Sequence, residues 1–214
     1  EDMFQDSGLS AAALHRARSP WRGMRTEVIG GQLLDISLEA AGSESVELAN
    51  SVNRYKTAAY TIERPLHLGA SIAGASEELI AAFRGYGQDI GIAYQLRDDQ
   101  LGVFGDPAVT GKPAGDDLRE GKRTELLALA LRRADESDPQ AAATLRKLIG
   151  HTSDPQELSR LAQIIADSGA PEEIERRIAS LTQSGLQHLR AARVDPAVTE
   201  TLEQLAIKAT ARHK

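Results

Sequence analysis

The sequence predicts an all-α protein, built as one domain over residues 1–214. Three observations carry that expectation. Apolar residues recur at helical spacing, and no stretch alternates convincingly as a strand would. Glycine and proline fall mostly at punctuation points (Gly42, Pro65, Gly74, Gly150, Pro155, Gly169 to Pro171, Pro196) and leave helix-sized segments between them. A chain of 214 residues, 41% hydrophobic and 26% charged, is long enough for one real core and ordinary for a soluble globular protein.

The elements follow in order. A long helix is expected from about Pro20 to Ala41, with proline in its first turn. A second runs from about Ser45 to Glu63, where Pro65 should end or kink it. A third covers about Glu77 to Val103, with Ser76 as its N-cap. Residues 105–121 read as the only long loop, and a structureless stretch of that size is more often functional than idle. From Thr124 to Ala211 the pattern is a series of shorter amphipathic helices, with starts at Asp154-Pro155 and Ala170-Pro171. Their apolar positions, from Leu145 and Ile165 to Leu205 and Ile207, are expected in the core.

Composition excludes several classes. A net charge of −6 argues against nucleic acid as the main partner. Without cysteine there are neither disulfides nor thiolate metal sites. The five histidines show no HxxxH or HExxH pairing, so an aspartate site would favour oxygen-ligated Mg2+ over zinc. No apolar run approaches the roughly 20 residues of a membrane span, so no stable membrane insertion is expected. No signal peptide is visible, and the expected location is cytoplasmic.

The most informative stretch is Gln95-Leu96-Arg97-Asp98-Asp99, inside an otherwise apolar helix. Adjacent carboxylates there need compensation, and a cation is the usual remedy. Gln95, Asp98 and Asp99 share one helix face at i, i+3 and i+4. A lone Asp pair is usually a solvated stripe; the apolar flanks and the lysine-studded loop that follows favour a site for divalent metal and phosphate. That loop contributes Lys112 and Lys122 as candidate phosphate ligands, with Asp116 and Asp117 to hold them or a metal-bound water, or simply to make turns and caps. It is no P-loop: five residues separate Gly115 from Gly121, Arg123 replaces the Ser/Thr, and no strand precedes it. In Tyr55-Lys56-Thr57, Lys56 could grip phosphate as a point charge, and Thr57 lowers helix propensity for no local gain, though taken alone a surface lysine beside a core tyrosine is the better explanation. Gln32 and Asp35 share a face after Gly30-Gly31, where two helical glycines point to close backbone approach by a neighbouring helix.

These four segments in this order resemble the trans-isoprenyl diphosphate synthases, the geranylgeranyl and farnesyl diphosphate synthase family. The most specific part runs from Tyr94 through Asp99 and Phe104-Gly105-Asp106 to Gly111-Lys112 and Gly121-Lys122-Arg123-Thr124. The resemblance implies an isoprenoid synthase-type helical bundle around a central cavity, a homodimer, and magnesium ions gripping an allylic diphosphate that reacts with isopentenyl diphosphate. It implies metal ligation by Asp98, with Asp99 and Asp106 acting through water. It also implies diphosphate binding by Lys56, Lys112 and Lys122, a developing cation faced by Thr57 and Gln95, and Gln32 with Asp35 as a conserved pair. Two departures stand out. The fifth position of the Asp-Asp motif is Gly102, removing one carboxylate, and a first aspartate-rich motif is absent. The chain also begins at Glu1 without an initiator methionine, and it is expected to be the rear two-thirds of a synthase, unable to turn over alone. The alternatives are a non-catalytic partner subunit of a synthase and a class I terpene synthase; the Lys-Thr pair and the Gly-Lys loop favour the prenyltransferase.

Overall fold

The computed structural model describes residues 2–111 and 114–211, apart from the side chains of Met3, Val109 and Thr110. Twelve α-helices and one π-helical stretch make up the described residues, with no strand among them. After the short α1 (Asp2–Gln5), α2 (Ala11–Ala41) begins earlier than the sequence predicts. Ser10 caps it by accepting from the Ala13 N–H at 3.2 Å, and the alanine-rich start carries the helix through Pro20, which lies inside it rather than in its first turn.

The expected second helix and its break at Pro65 are replaced by one continuous rod: α3 (Val46–Val52), a π-helical stretch (Asn53–Glu63) and α4 (Arg64–Ala73). Pro65 is tolerated because it stands in the first turn of α4, where the wider π turn gives way to α geometry. The buried Glu63 carboxylate fixes that junction, accepting from Arg54 and, at 3.0 Å, from Arg84 Nε. Such stretches are rare and concentrate at functional sites; this one contains Lys56 and Thr57.

α5 (Glu77–Phe104) is the axis of the molecule, capped by Ser76 as predicted. The predicted loop that follows carries two short helices, α6 (Pro107–Thr110) and α7 (Asp116–Glu120), separated by glycine turns too short for periodicity to register. Then come α8 (Glu125–Ser137), α9 (Pro139–Leu148), α10 (Pro155–Asp167), α11 (Ala170–Ala191) and α12 (Pro196–Thr210). The main core joins Ile92 and Leu96 of α5 to Leu126 and Leu129 of α8, Leu161 and Ile165 of α10, and Ile174 of α11. Leu205 and Ile207, expected inside, are exposed because the packed face of α12 runs through Leu202, Ala206 and Thr210.

Opposite its aspartates, α5 is anchored by polar contacts. Arg97 donates to both carboxylate oxygens of Glu175 on α11, at 2.5 and 2.7 Å, and to the Thr210 carbonyl at the end of α12, at 2.9 Å. On its other sides α5 meets the π stretch at glycines. A Cβ on Gly87 would lie 2.5 Å from Glu63 Cα, and one on Gly91 2.5 Å from Ala58 Cα. From α2, a Cβ on Gly31 would lie 2.5 Å from the Lys56 backbone nitrogen. The close approach expected at Gly30-Gly31 is therefore made by Gly31; nothing lies within 4 Å of a Cβ on Gly30.

Candidate functional site

The π stretch and α5 face each other across a cavity of about 200 Å³. α2 contributes Asp35; the π stretch contributes Asn53, Lys56 and Thr57; α5 contributes Gln95, Asp98 and Asp99; the turn before α8 contributes Lys122, Arg123 and Thr124. Helical spacing explains the share of α5: Gln95, Asp98 and Asp99, three and four residues apart, present to one side. Two roomier clefts, about 560 and 460 Å³, hold none of the residues predicted from sequence.

A short relay crosses the cavity. The Thr57 hydroxyl donates to Gln95 Oε1 at 2.8 Å, and Gln95 Nε2 donates to Asp99 Oδ1 at 2.7 Å. It fixes the Gln95 amide with its nitrogen toward Asp99 and its carbonyl toward Thr57. Asp99 is only 4% exposed, and its other oxygen, Oδ2, is buried without a hydrogen-bond partner. Burial pushes the Asp99 carboxyl well above the ordinary aspartate value; the Gln95 hydrogen bond opposes this, and the charges of Asp117 and Asp98 add to it. Asp98, next to it, is half-buried in the cavity wall.

The cations are held by carboxylates. Lys56 pairs with Asp35 across the α2 contact. Lys122 pairs with Asp117 and, at 3.5 Å, with Glu120. Burial works against the Lys122 ammonium, but the Asp117 hydrogen bond and charge outweigh it and raise its pKa. Each ammonium has three donors, so one carboxylate partner at Lys56 and two at Lys122 still leave a donor for an anion. Asp117 also bears on the missing fifth carboxylate of the Asp-Asp motif. A Cβ on Gly102 would collide with the Asp117 carboxylate, so a carboxylate does stand beside Gly102, supplied by α7.

Not every predicted residue is brought in. Gln32 is exposed on α2 and outside the cavity lining, because Gly31 and Asp35 take the face turned to the π stretch. Lys112 lies outside the described residues. Asp106 caps α6, accepting from the Ala108 N–H at 2.9 Å, and Asp116 pairs with Arg119. Sequence reasoning missed Asn53. Its only signal was position, three residues before Lys56 and four before Thr57 on a helix.

Just behind the cavity, Thr124 caps α8, accepting from the Leu127 N–H at 3.2 Å, and Glu125 follows with no exposed surface. Arg177 Nη1 lies 2.5 Å from Glu125 Oε1, but the approach misses hydrogen-bond geometry, and both carboxylate oxygens lack a donor. Burial raises the Glu125 pKa to about 7 from the ordinary 4.5; the Arg177 charge opposes the shift and Glu173 adds to it. The folded protein therefore holds this proton more tightly than the unfolded chain. The resulting stability, roughly 3 kcal/mol from the size of the shift, is fully present below the unfolded pKa and is lost as pH rises through the folded value. Glu125→Gln should thus melt higher than the wild type at about pH 8 and flatten the melting profile between about pH 5 and 8. Arg177 also donates to Asn50 Oδ1 at 2.8 Å and reaches solvent, so it tolerates the change. Parallel profiles for the two proteins would refute the assignment.

Residues 19–167 match the polyprenyl synthetase family. Among curated relatives, a geranylfarnesyl diphosphate synthase from Aeropyrum pernix is 39% identical over 137 residues, 62% of this chain and 42% of that protein. A geranylgeranyl diphosphate synthase from Mycobacterium tuberculosis is 39% identical over 113 residues, 53% of this chain and 32% of that protein. The chain thus spans less than half the length of these relatives. Among solved structures, a geranylgeranyl pyrophosphate synthase from Corynebacterium glutamicum, complexed with isoprenyl diphosphate and magnesium, is 63% identical with a TM-score of 0.97. That likeness covers 99% of this chain and 59% of the Corynebacterium chain.

Proposed function

Because the chain belongs to the polyprenyl synthetase family, we propose that the protein condenses an allylic diphosphate with isopentenyl diphosphate. The product is a short- or medium-chain isoprenyl diphosphate of the geranylgeranyl type. The observation that carries this is one cavity in which Asp98 and Asp99 stand with Lys56 and Lys122, with the Thr57 and Gln95 oxygens beside them. The Corynebacterium relative, described with isoprenyl diphosphate and magnesium, supports the same reading.

Asp98 and Asp99 would hold Mg2+; the buried, unpartnered Oδ2 of Asp99 fits an oxygen-seeking cation. Bound magnesium would neutralise the allylic diphosphate and assist its departure. Lys56, Lys122 and, from its place in the motif, Lys112 bind the diphosphate and stabilise the charge it gains on leaving. The Thr57 proton is committed to Gln95, so the Thr57 oxygen lone pairs and the Gln95 carbonyl are what a developing allylic cation meets. The departing diphosphate, held by the lysines, receives the proton lost after condensation. Asp35 completes the reading by orienting Lys56; Gln32, exposed on α2, has no part in it.

A homodimer belongs to the same proposal. It is supported by the exposed stripe Ile29, Leu33 and Ile36 on the side of α2 opposite Gly31. No helix among the described residues is long and apolar enough to cross a membrane, and the proposed location is cytoplasmic. The test is an assay of the intact protein with labelled isopentenyl diphosphate and an allylic diphosphate. The label should enter a longer isoprenyl diphosphate, and chelating divalent metal should stop it. Hydrocarbon formed from geranylgeranyl diphosphate alone would point instead to a terpene synthase, and absence of turnover to a partner subunit.

A further inference from the structure

Asn53, at the start of the π stretch, is 5% exposed, and its Nδ2 is buried with no hydrogen-bond partner. A buried donor left unmade is costly, and a helix interior gives asparagine no compensating advantage. The same side chain lines the cavity with Lys56 and Thr57, one turn further along the same rod, and with Lys122 and Arg123 from the turn before α8. Arg123 Nε is a second buried donor without a partner in that lining. The remaining orphan there, Asp99 Oδ2, is of the opposite kind, an acceptor. A cation alone satisfies Asp99 and leaves Asn53 unmet, while an anion alone does the reverse. A metal–diphosphate satisfies both.

We propose that Asn53 is a further diphosphate-binding residue, its amide donating to a diphosphate oxygen in this cavity. The inference rests on the prenyl-transfer reading above and adds to it a donor with no counterpart in the motifs. It is neutral, so it adds direction to the lysine charges: a planar amide wedged in a helix face can serve only an oxygen at the right position, whereas the ammonium groups follow the anion.

The test measures calorimetric binding of inorganic pyrophosphate with Mg2+ to the intact protein, alongside melting without ligand. Asn53→Leu keeps the volume and removes the donor. It should weaken pyrophosphate binding by about ten- to a hundred-fold, as expected for a hydrogen bond to a charged group. Its unliganded melting temperature should stay level or rise, since an unmet donor is gone. Asn53→Asp keeps the shape and sets a carboxylate against the anion, so it should weaken binding at least as much; it also serves should the leucine variant fail to fold. Lys122→Ala is the reference. If it loses pyrophosphate while both Asn53 variants bind like the wild type, the Asn53 assignment falls and the site reading stands. If Lys122→Ala also binds like the wild type, the diphosphate reading itself falls.

Discussion

Asp98→Ala in the intact protein should lower the rate of magnesium-dependent prenyl transfer by about a hundred- to a thousand-fold, the range for losing one main source of transition-state charge stabilisation. Asp98 is half-buried in the cavity wall, and no hydrogen bond to another described residue ties it into the fold, so the loss should be chemical rather than structural. It is also one of the charges that raise the Asp99 pKa, and removing it relieves a like-charge pair. The melting temperature should accordingly stay level or rise slightly while turnover collapses. Steady-state kinetics over a magnesium titration, with melting curves on the same samples, separate the two effects. An unchanged rate would overturn the metal assignment; a parallel loss of stability would recast Asp98 as a structural residue.

The Asp98 side of the cavity was legible from sequence because its spacing is local. Gln95, Asp98 and Asp99 lie on one face of one helix, and periodicity alone groups them. The Lys56 side was legible only through the family resemblance. Read locally, Lys56 and Thr57 are a lysine and a threonine on a helix, and their meaning comes from Asp35 and Gln95, 21 and 38 residues away in the chain. Asn53 was less visible still, since it belongs to no motif and only its burial without a partner singles it out. Helix boundaries failed where proline was read as punctuation: Pro20 lies inside α2 and Pro65 inside a continuous rod. An alanine-rich start overrode the local rule at Pro20, and a change of helical pitch overrode it at Pro65. α6 and α7 were missed because one or two turns carry too little periodicity to be seen.

Gly91→Ala should destabilise the protein although intrinsic propensity says the opposite. In an open helix, alanine for glycine stabilises by about 1 kcal/mol. Here the new Cβ would lie 2.5 Å from Ala58 Cα and 2.6 Å from Ala58 Cβ, and backbone on that side cannot swing away as a flexible side chain would. The π stretch must move off α5, an overpacking that costs about 1–3 kcal/mol or more. For a chain of this size that is a melting-temperature loss of roughly 2–4 °C per kcal/mol. The damage also reaches the chemistry. Ala58 follows Thr57, and Gly91 sits one turn before Gln95, so the separation opens at the 2.8 Å Thr57–Gln95 bond and shifts Lys56 with it. A misplacement of about 1 Å can cost on the order of a hundred-fold in rate. Gly31→Ala should behave alike, since its Cβ would lie 2.5 Å from the Lys56 backbone nitrogen. Gly30→Ala is the internal control: the neighbouring residue has open space around its Cβ and should gain the propensity term without touching activity. Thermal melts and turnover of the three variants decide the matter. If Gly91→Ala and Gly31→Ala are as stable and active as Gly30→Ala, glycine contacts do not hold the Lys56–Thr57 segment in place.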